Sequence, residues 1–322
     1  MAPDLSVIIV AYRCRDELAD CLASLAPDRD GLAVEVTVVD NASGDGTTDL
    51  VRQRFGWVRL IANDTNRGFA AANNQGLGYA SGRHVLFLNP DTVVHPGALA
   101  TLVRALDSDE GLGACGPQLL NPDGSIQPSV RRFATFATLL HQYTPLRVLR
   151  VLKRPYRAYK MRDFDGRTAA DVDVLMGAAL AVPRRVLDEV GPMDERFFVY
   201  WEEVDLCRRI RAAGHRVRFD PAAKVTHVGG VSAATATASV FFCRSMFRYL
   251  AKHHGRPLGR TMAVLLWLGM IVREAGLLAG GTLAAVALGL TGRTSRARRR
   301  WAGARRAARF MFRDAWRSLP WA

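Results

Sequence analysis

The first ninety residues alternate short apolar runs with amphipathic stretches, and this alternation limits the possible fold more than any other feature. The apolar runs occupy residues 5–12, 34–40, 58–63 and 84–89. The stretches between them, such as CRDELADCLASLA, carry apolar residues at helical spacing. Strands that alternate with helices in this way are typical of βαβ units and a mostly parallel sheet. The sequence therefore predicts an α/β fold with its ligand site at the carboxyl ends of the strands.

Charge divides the chain into two parts. Residues 1–235 contain 28 basic and 28 acidic residues, whereas residues 236–322 contain 16 basic residues and two acids. We predict a neutral α/β domain over 1–235 and a basic, helical, membrane-associating region over 236–322. The two parts are expected to have different partners, because a strong basic excess attracts anionic surfaces.

The C-terminal part combines apolar and basic segments. Two apolar runs, 261–272 and 276–290, are separated by Arg273 and Glu274, and ten arginines follow within residues 293–317. Each run is shorter than the roughly 20 residues needed to cross a bilayer, and an ion pair near mid-membrane is costly. The pattern favours an element lying at an anionic membrane surface. A buried helical hairpin with a solvated basic tail is the alternative. Nucleic-acid binding would leave the apolar runs unexplained, and no nucleic-acid motif occurs.

The cysteines and the N-terminus both indicate a cytoplasmic protein. The five cysteines are odd in number and scattered, with no spacing typical of zinc, so reduced thiols are expected. The first apolar run is too short for a secretory signal and is followed at once by charge. No glycine-rich, lysine-containing loop follows that run, which argues against a nucleotidyltransferase.

Two polar clusters follow strands or begin helices early in the chain. Asp40 and Asn41 end the second predicted strand, where a carboxylate can accept hydrogen bonds from the ribose or base of a nucleotide. A solvated Asx turn is the alternative. Arg67 and Gly68 lie at a predicted helix start, which suits an anion, although plain capping would explain them equally.

Asp91, in the stretch FLNPDT, directly follows the fourth predicted strand. One carboxylate on a hard cation, with phosphate and water as the other ligands, is a common way to hold Mg²⁺ at substrate phosphates. An ordinary Asn-Pro-Asp turn is the alternative.

Three further residues give weaker signals. Gly177 and Ala178, in MGAAL, could let a substrate approach closely, or could simply allow tight strand packing. His227, in THVGG, follows a predicted strand, and a single histidine is more often structural than functional.

The stretch YWEEVDLCRR holds the densest group of charges. Glu202, Glu203 and Asp205 fall within four residues and are bounded by Trp201 and Arg208. Neighbouring carboxylates raise one another's pKa, so one of them could act as a general base. The alternative is an acidic helix N-terminus stabilised by the helix dipole.

The order of these motifs carries more information than any one of them. DNASGDGT, NRGFAAANN, FLNPDT, GAAL, GPMDERFFVYWEEVDLCRR and THVGG occur in register. In this respect residues 5–232 are similar to the inverting family-two glycosyltransferases, which have a GT-A fold. The stretch GPQLLNPDGSIQPSVRRF most resembles bacterial rhamnosyltransferases of that family. Such enzymes commonly transfer L-rhamnose from dTDP-rhamnose to a polyprenyl-diphosphate-linked sugar.

The resemblance implies roles for individual residues. Asp40 matches the acid that reads the nucleotide, and Glu203 matches the catalytic base. Asp91 matches the last position of the metal-binding DxD signature, whereas Asn89 replaces its first aspartate and is expected to be a weak or indirect ligand. His227 matches a position that can complete the metal or diphosphate site.

The remaining candidates are assigned supporting or binding roles by the same resemblance. Asp205 and Arg208 belong to the catalytic signature and are expected to support the base, and Trp201 could form an apolar wall for a sugar. The predicted catalytic residues are Glu203 and Asp205, and the predicted metal ligands are Asp91 and His227. The predicted donor-binding residues are Asp40, Asn41, Arg67, Gly68, Asn89, Gly177, Ala178, Trp201, Glu202 and Arg208.

The implied partners are a nucleotide-sugar donor, a divalent metal (Mg²⁺ or Mn²⁺) and a polyprenyl-diphosphate-linked acceptor. The basic tail would then hold the protein on the anionic inner leaflet, at the cytoplasmic face of a bacterial membrane, and residues 131–167 are interpreted as a mobile acceptor loop. Two alternatives stay open. The donor could be a UDP-sugar, for galactofuranosyl or N-acetylglucosaminyl transfer, or the protein could be a non-catalytic membrane-bound carbohydrate- or nucleotide-binding protein.

Overall fold

The computed structural model describes most of the chain, and its contacts divide it into two compact units. The first unit comprises Met1–Phe133 and Asp163–Ser232, and the second comprises Ala134–Arg162 and Ala233–Ala322. The predicted boundary at residue 235 stays a prediction, but residues 134–162 group with the C-terminal part. The described residues are 2–26, 31–229, 236–290, 298, 301–302 and 305.

Within the described residues, the first unit contains a ten-stranded sheet and a separate two-stranded sheet. The four N-terminal strands were predicted within one residue at each end, because each is an apolar run bounded by turn residues. The strands are β1 (Leu5–Ala11), β2 (Val34–Asp40), β3 (Arg59–Ala62), β4 (His84–Leu88), β5 (Thr92–Val94), β6 (Leu112–Leu120), β7 (Ile126–Gln127), β8 (Val130–Arg131), β9 (Ala170–Val172), β10 (Val174–Leu175), β11 (Ala179–Pro183) and β12 (Arg216–His227).

Helices follow the strands as the alternating pattern predicts. The acidic stretch after Trp201 forms a helix that ends before Gly214, and the next strand begins at Arg216. The helices are α1 (Arg15–Ser24), α2 (Thr47–Arg54), α3 (Phe69–Leu77), α4 (Ala98–Asp107), α5 (Phe136–Tyr143), α6 (Lys153–Tyr159), α7 (Arg184–Val190), α8 (Glu202–Ala212), α9 (Ala236–His253) and α10 (Arg256–Leu290).

The large sheet has the strand order β3-β2-β1-β4-β11-β6-β12-β5. The first four strands are parallel, whereas β11 runs antiparallel to both β4 and β6, and β12 runs parallel to β6. The sheet is therefore mixed, with the predicted parallel arrangement in its N-terminal half. The side chains of β1 are buried along its whole length, as expected for a central strand with both faces covered.

The register of the parallel strands determines where the functional loops leave the sheet. Ala11 of β1 pairs with Asp40, and Ile9 of β1 pairs with Leu88 of β4. Adjacent strands lie about 5 Å apart, so Asp40 and the turn after Leu88 leave the same edge at a separation of roughly 10 Å. This is the carboxyl edge at which the sequence predicts a ligand site.

The second unit differs from the sequence prediction in two respects. Part of the segment predicted as a mobile loop is helical, because α5, a 3₁₀ turn over Pro145–Arg147 and α6 lie within it. The two apolar runs of the C-terminal part lie on one continuous helix, α10, so they do not fold back on each other as a hairpin. The arginine-rich segment 293–317 lies almost entirely outside the described residues.

The helix α10 has two distinct faces. One face packs inside the second unit, and the opposite face is exposed and apolar at helical spacing. In the described part of the chain, α10 is the one helix whose length and apolar composition could cross a membrane, over Arg256–Ala284 with a mean hydropathy of 1.7. The buried face carries Ala263, Leu266, Met270 and Glu274, and the exposed face carries Leu258, Leu265, Leu268, Val272, Leu283 and Val286.

All five cysteines are buried free thiols, as the sequence predicts. A thiol buried among apolar side chains behaves as a small hydrophobic residue and needs no partner.

Candidate active site

Asp40 is buried at the end of β2 and begins a tight turn. Its Oδ1 accepts a hydrogen bond from the backbone N–H of Ser43, three residues on, at 3.2 Å, and the side chain is buried, unlike the solvated Asx turn of the alternative interpretation. The same carboxylate lies at the carboxyl edge of the sheet, where a nucleotide would approach. A turn that fixes one carboxylate oxygen also fixes the direction of the other.

The side chain of Asn41 uses its full hydrogen-bonding capacity inside the protein. Its Nδ2 donates to Asn66 Oδ1 at 2.9 Å and to the backbone carbonyl of Gly68 at 3.2 Å. Its Oδ1 accepts from the backbone N–H of Arg67 at 2.9 Å and from Asn63 Nδ2 at 3.2 Å. Two donors and two acceptors are all that an amide offers. Asn41 therefore fixes the loop before α3.

Gly68 is required by the packing of this loop. Its φ is +88°, and a Cβ added there would lie 2.6 Å from the backbone carbonyl oxygen of Phe198. The same oxygen accepts the first helical N–H of α3, from Phe69, at 2.6 Å. The backbone N–H of Phe69 is therefore not free to bind an anion at the predicted site, because it donates to Phe198. The side chain of Arg67 is exposed next to it.

Asp91 and His227, the two predicted metal ligands, lie close to each other. His227 Nε2 lies 3.4 Å from Asp91 Oδ1. The other ring nitrogen, Nδ1, is 2.8 Å from Oε1 of Gln127, whose Nε2 donates to Asn121 Oδ1 at 3.0 Å. Because Gln127 is oriented by that bond, its oxygen faces the imidazole and accepts from Nδ1–H. In the tautomer that carries its only proton on Nδ1, the Nε2 lone pair of His227 faces Asp91.

The chemistry of this pair suits a divalent cation. Two lone-pair donors 3.4 Å apart gain by sharing a positive charge. A carboxylate together with an imidazole suits Mn²⁺, and Mg²⁺ also accepts one or two protein ligands when phosphate and water supply the rest. Among the described residues, no group of three or more His, Cys, Asp and Glu side chains is arranged to hold a metal alone. A cation here would need ligands from a bound substrate.

Residues 177 and 178 connect the turn that carries Asp91 with the acidic cluster. The carbonyl oxygen of the buried Ala178 accepts a hydrogen bond from the backbone N–H of Asn89 at 2.9 Å. The open side of Gly177 faces Glu203, because a Cβ added to this glycine would lie 3.4 Å from Glu203 Cβ. The small residues thus provide tight packing around the site.

The backbone directly before α8 adopts an unusual conformation. Tyr200 and Trp201 have φ values of +69° and +70°, in the left-handed region that favours glycine. Such strain, at a cost of about 1–3 kcal/mol per residue, is typical of functional sites. The Trp201 ring is 5% exposed, so the indole is part of the core, which fits poorly with a wall for a sugar. The strained pair aims Glu202 and Glu203.

Glu202 and Glu203 are an acidic pair in an environment that opposes charge. One carboxylate oxygen of each is buried and has no hydrogen-bond partner within the described residues. Burial, followed by the negative charge of Glu203, raises the pKa of Glu202 well above its ordinary value. Burial also raises the pKa of Glu203, although the positive charge of Arg131 lowers it in part. Glu203 is only half-buried, so it is the member that can meet a substrate.

Asp205 and Arg208 occupy supporting positions on α8. Asp205 is fully buried and forms an ion pair with Arg209 at 2.9 Å. Arg209 also donates to the carbonyl oxygens of Val190 and Gly191 at 2.6 and 2.9 Å. Asp205 therefore holds α8 to the end of α7 through Arg209, and its predicted catalytic role stays a prediction. The guanidinium of Arg208 lies 5.6 Å from the ring centre of Phe133.

Sequence reasoning missed two residues of the site, Gln127 and Arg131. Both lie in SIQPSVRRF, where the sequence indicated only a family resemblance and, from Arg131 onward, a mobile acceptor loop. β8 pairs with β10, and Met176 donates to the carbonyl oxygen of Ser129, so this strand runs beside Gly177 and the acidic pair. The signal that could have found them is one polar side chain on each of two very short strands, β7 and β8, on either side of Pro128 and Ser129.

Comparison with known families identifies the class of protein. The sequence profile of Glycosyl transferase family 2 matches residues 6–170, just over half of the chain. The chain belongs to glycosyl transferase family 2. It is therefore a glycosyltransferase, and the predicted alternative of a non-catalytic binding protein is set aside.

One relative extends the similarity of this glycosyltransferase beyond the family profile. A Mycobacterium tuberculosis protein, present in two strains, is named N-acetylglucosaminyl-diphospho-decaprenol L-rhamnosyltransferase. It is 32% identical over 288 residues, which cover 83% of this chain and 89% of the relative.

Solved structures show that the glycosyltransferase has the predicted GT-A fold. A mannosyltransferase from Pyrobaculum calidifontis, in complex with GDP-Man and Mn²⁺, matches with a TM-score of 0.54 and 20% identity, over 98% of this chain and 88% of that one. GalNAc-T7 with UDP, GalNAc and Mn²⁺ matches with a TM-score of 0.55 and 17% identity, over 78% of this chain and half of that one. At these identities the likeness shows the fold alone.

The charge of Arg131 leads to a prediction about pH. A general base works as its carboxylate, so if Glu203 has the predicted role, activity should fall as the pH drops through its raised pKa. Arg131→Gln removes a charge that lowers this pKa, so the acid limb of kcat/KM should move to higher pH. Arg131→Lys should keep the limb near its original position. A uniformly lower rate with an unmoved limb would contradict this role.

Proposed function

We propose that this glycosyltransferase transfers L-rhamnose from dTDP-rhamnose to polyprenyl-diphosphate-linked N-acetylglucosamine in cell-wall or surface polysaccharide synthesis. The observation that supports it is the 32% identity to the mycobacterial rhamnosyltransferase over 83% of this chain. That share is larger than residues 1–235 alone could supply, so the likeness includes part of the C-terminal region as well as the GT-A fold.

The reaction we propose is a single displacement at the anomeric carbon. Glu203 takes the proton of the acceptor hydroxyl, and the oxygen forms a new bond to the anomeric carbon. The bond between that carbon and the diphosphate oxygen breaks on the opposite face, and its electron pair leaves with the nucleoside diphosphate. The configuration is therefore inverted. The raised pKa of Glu203 makes this carboxylate a stronger base than an exposed glutamate.

Asp91 and His227 are the residues that would hold a divalent metal, either Mg²⁺ or Mn²⁺. The metal, when bound, would neutralise charge that develops on the leaving diphosphate. The support for this assignment is the 3.4 Å approach of Nε2 to Oδ1, with Gln127 fixing the imidazole tautomer. Asn89 lies in the same turn, and its backbone N–H and C=O both make bonds within the protein.

The donor-binding residues divide into those that can contact a nucleotide and those that hold the site. Asp40 and the exposed Arg67 are in positions to contact the base, ribose or diphosphate. Asn41 and Gly68 hold the loop that presents Arg67, and Ala178 holds the turn of Asp91. Glu202 is buried behind Glu203, and we assign it no contact with the donor.

The donor and acceptor are tested by measuring nucleotide release from a panel of sugar nucleotides. The assay contains Mg²⁺ and a polyprenyl-diphosphate-N-acetylglucosamine acceptor. Release of dTDP from dTDP-rhamnose, dependent on the acceptor, is the expected result. Release of UDP from UDP-galactofuranose or UDP-N-acetylglucosamine would retain the family chemistry and overturn the rhamnosyl assignment.

We further propose that the second unit holds the enzyme at the cytoplasmic face of the membrane as a peripheral or monotopic protein. Arg273 and Glu274 form an ion pair at 2.9 Å in the middle of α10, and Arg273 Nη1 also donates to the carbonyl oxygen of Gln142 at 3.4 Å. A bilayer-spanning α10 would place these groups in hydrocarbon at a high cost. A helix that lies in the interface leaves them on the protein side and buries its exposed apolar face.

The exposed face of α10 gives a prediction about membrane binding. Leu265→Glu with Leu268→Glu should reduce sedimentation with vesicles at least tenfold, because burying one leucine is worth about 1.5–3 kcal/mol. Gln53→Glu with Thr168→Glu adds the same charge to exposed positions of the first unit and should have little effect. Equal binding of the two double variants would exclude this face from the membrane contact.

A further inference from the structure

The second unit contains a concentrated basic segment that the proposed chemistry does not use. Residues 134–162 include seven lysines and arginines and no aspartate or glutamate. Five of these cations, together with His141 and Tyr156, line one cavity of about 500 Å³. A volume of this size accommodates a small ligand or a head group. The five cations are Arg147, Arg150, Lys153, Arg157 and Arg162.

The cavity is supported by a fixed framework. His141 is buried on α5, and its Nδ1–H donates to the carbonyl oxygen of Val151, which holds the turn after α5 against that helix. Its ring lies 4.8 Å from the ring of Tyr156 on α6. Arg150 and Leu152 in the turn have φ values of +56° and +60°. Strained positions of this kind persist only where the surroundings impose them.

Four of the five cations that line the cavity lack a carboxylate partner among the described residues. Within the described part of the chain, Arg147, Arg150, Lys153 and Arg162 make no ion pair with a carboxylate. Like charges held together repel, and an anion that enters among them relieves this repulsion. Guanidinium groups match phosphate oxygens with paired hydrogen bonds, so a phosphate group suits this lining best.

Apolar side chains beside the cavity indicate that the anion belongs to a lipid. Val148 and Leu149 separate Arg147 from Arg150 in sequence and are 81% and 68% exposed. A free phosphate makes no favourable contact with exposed apolar side chains, whereas the hydrocarbon part of an amphiphile can cover them.

The membrane-facing helix lies next to this turn. A Cβ added to Gly269 of α10 would lie 2.6 Å from Cγ2 of Thr144, so this glycine permits close approach of α10 to the residue before the 3₁₀ turn. The apolar face of α10 and the basic cavity are therefore parts of one packed unit.

We infer that this cavity binds the diphosphate of the lipid-linked acceptor while the polyprenyl chain extends over Val148 and Leu149. The inference rests on the proposed function for the identity of the lipid. The shared chemistry, a phosphate ester of a membrane lipid, is also offered by phospholipid head groups, and the test separates the two sources. The cavity then determines which lipids the second unit retains.

The test uses the full-length enzyme and vesicle flotation. Phosphatidylcholine vesicles contain either polyprenyl diphosphate or enough phosphatidylglycerol to give the same surface charge. Arg147→Gln with Arg150→Gln should weaken binding to the diphosphate vesicles at least tenfold and to the phosphatidylglycerol vesicles much less. Arg52→Gln with Arg104→Gln removes two charges from exposed positions of the first unit and should change neither. Soluble pyrophosphate should compete for binding to the diphosphate vesicles.

Two outcomes would overturn the inference or its assignment. Unchanged binding of the double variant would exclude the cavity as an anion site, and an equal loss on both anionic vesicles would assign it to phospholipid head groups instead. A double variant that no longer binds dTDP-rhamnose, or that melts at a lower temperature, would be replaced by Arg147→Lys with Arg150→Lys, which keeps the charge and should retain most of the binding. Because these vesicles contain no donor, a wrong donor sugar leaves this result intact.

Discussion

Glu203→Gln is expected to lower the rate of sugar transfer by about 10²–10⁴-fold, the usual contribution of a general base. The amide has nearly the same shape as the carboxyl group but cannot accept the proton of the acceptor hydroxyl. In the proposed mechanism Glu203 contacts the acceptor and not the nucleotide, so the affinity for the donor should change little. Single-turnover transfer of radiolabelled sugar gives the rate, and calorimetric titration with the donor gives the affinity.

Glu202→Gln is the matched control, since it makes the same change at the neighbouring position. Burial keeps the pKa of Glu202 well above its ordinary value, so its side chain favours the neutral form that glutamine imitates. Activity should stay within a few-fold of the wild type. A larger loss in Glu202→Gln than in Glu203→Gln would reverse the two roles and identify Glu202 as the base.

Glu202→Gln should also change thermal stability in a way that depends on pH. A carboxyl whose folded pKa is raised favours folding most below its unfolded pKa, and this advantage is lost as the pH rises through the folded pKa. Glutamine cannot ionise, so the Glu202→Gln protein should melt at a higher temperature than the wild type above the raised pKa, and the difference should shrink toward acid pH.

Asp91→Asn is the second change with a large expected effect. A metal ion stabilises charge on a leaving diphosphate by several kcal/mol, which corresponds to on the order of 10³-fold in rate. The variant should lose activity to that extent and should bind Mn²⁺ weakly in the presence of donor, as measured by electron paramagnetic resonance. The wild type should be inhibited by EDTA and restored by Mg²⁺ or Mn²⁺.

Gln127→Leu provides a graded comparison for the metal site. It leaves both ligands in place and removes the acceptor that orients the His227 ring. Loss of such a partner typically costs about 10–100-fold in metal affinity. Full affinity in Gln127→Leu would show that the imidazole orientation does not matter, and full activity of the wild type in EDTA would remove the metal from the mechanism.

The fold was predictable from the sequence wherever local pattern decided it. β1, β2 and β4 are short segments rich in Val, Ile and Leu, and α8 begins at an acidic turn and ends before Gly214, so local pattern and turn chemistry were sufficient. The continuity of α10 was not predictable. Its central ion pair interrupts the apolar pattern, and only the contact with Gln142 shows where those charges lie.

The candidate site was predictable as a set of residues but not as a set of contacts. Asp91 and His227 are separated by 136 positions, and only the pairing of β12 with β5 brings them together. Asn41 was predicted to bind the donor, whereas its amide is saturated by the loop before α3. Arg131 affects Glu203 through charge across β8, which no spacing along the chain reveals.

The left-handed backbone conformation of Tyr200 and Trp201 matters for any attempt to make the enzyme more heat-resistant. Tyr200 is half-buried with a φ of +69°, so asparagine or glycine there would relieve backbone strain and should rank high in a screen for melting temperature alone. Such a substitution would also release the conformation that directs Glu203. Selection for thermal tolerance would therefore favour variants with a slower reaction, and a useful screen must record turnover and melting together.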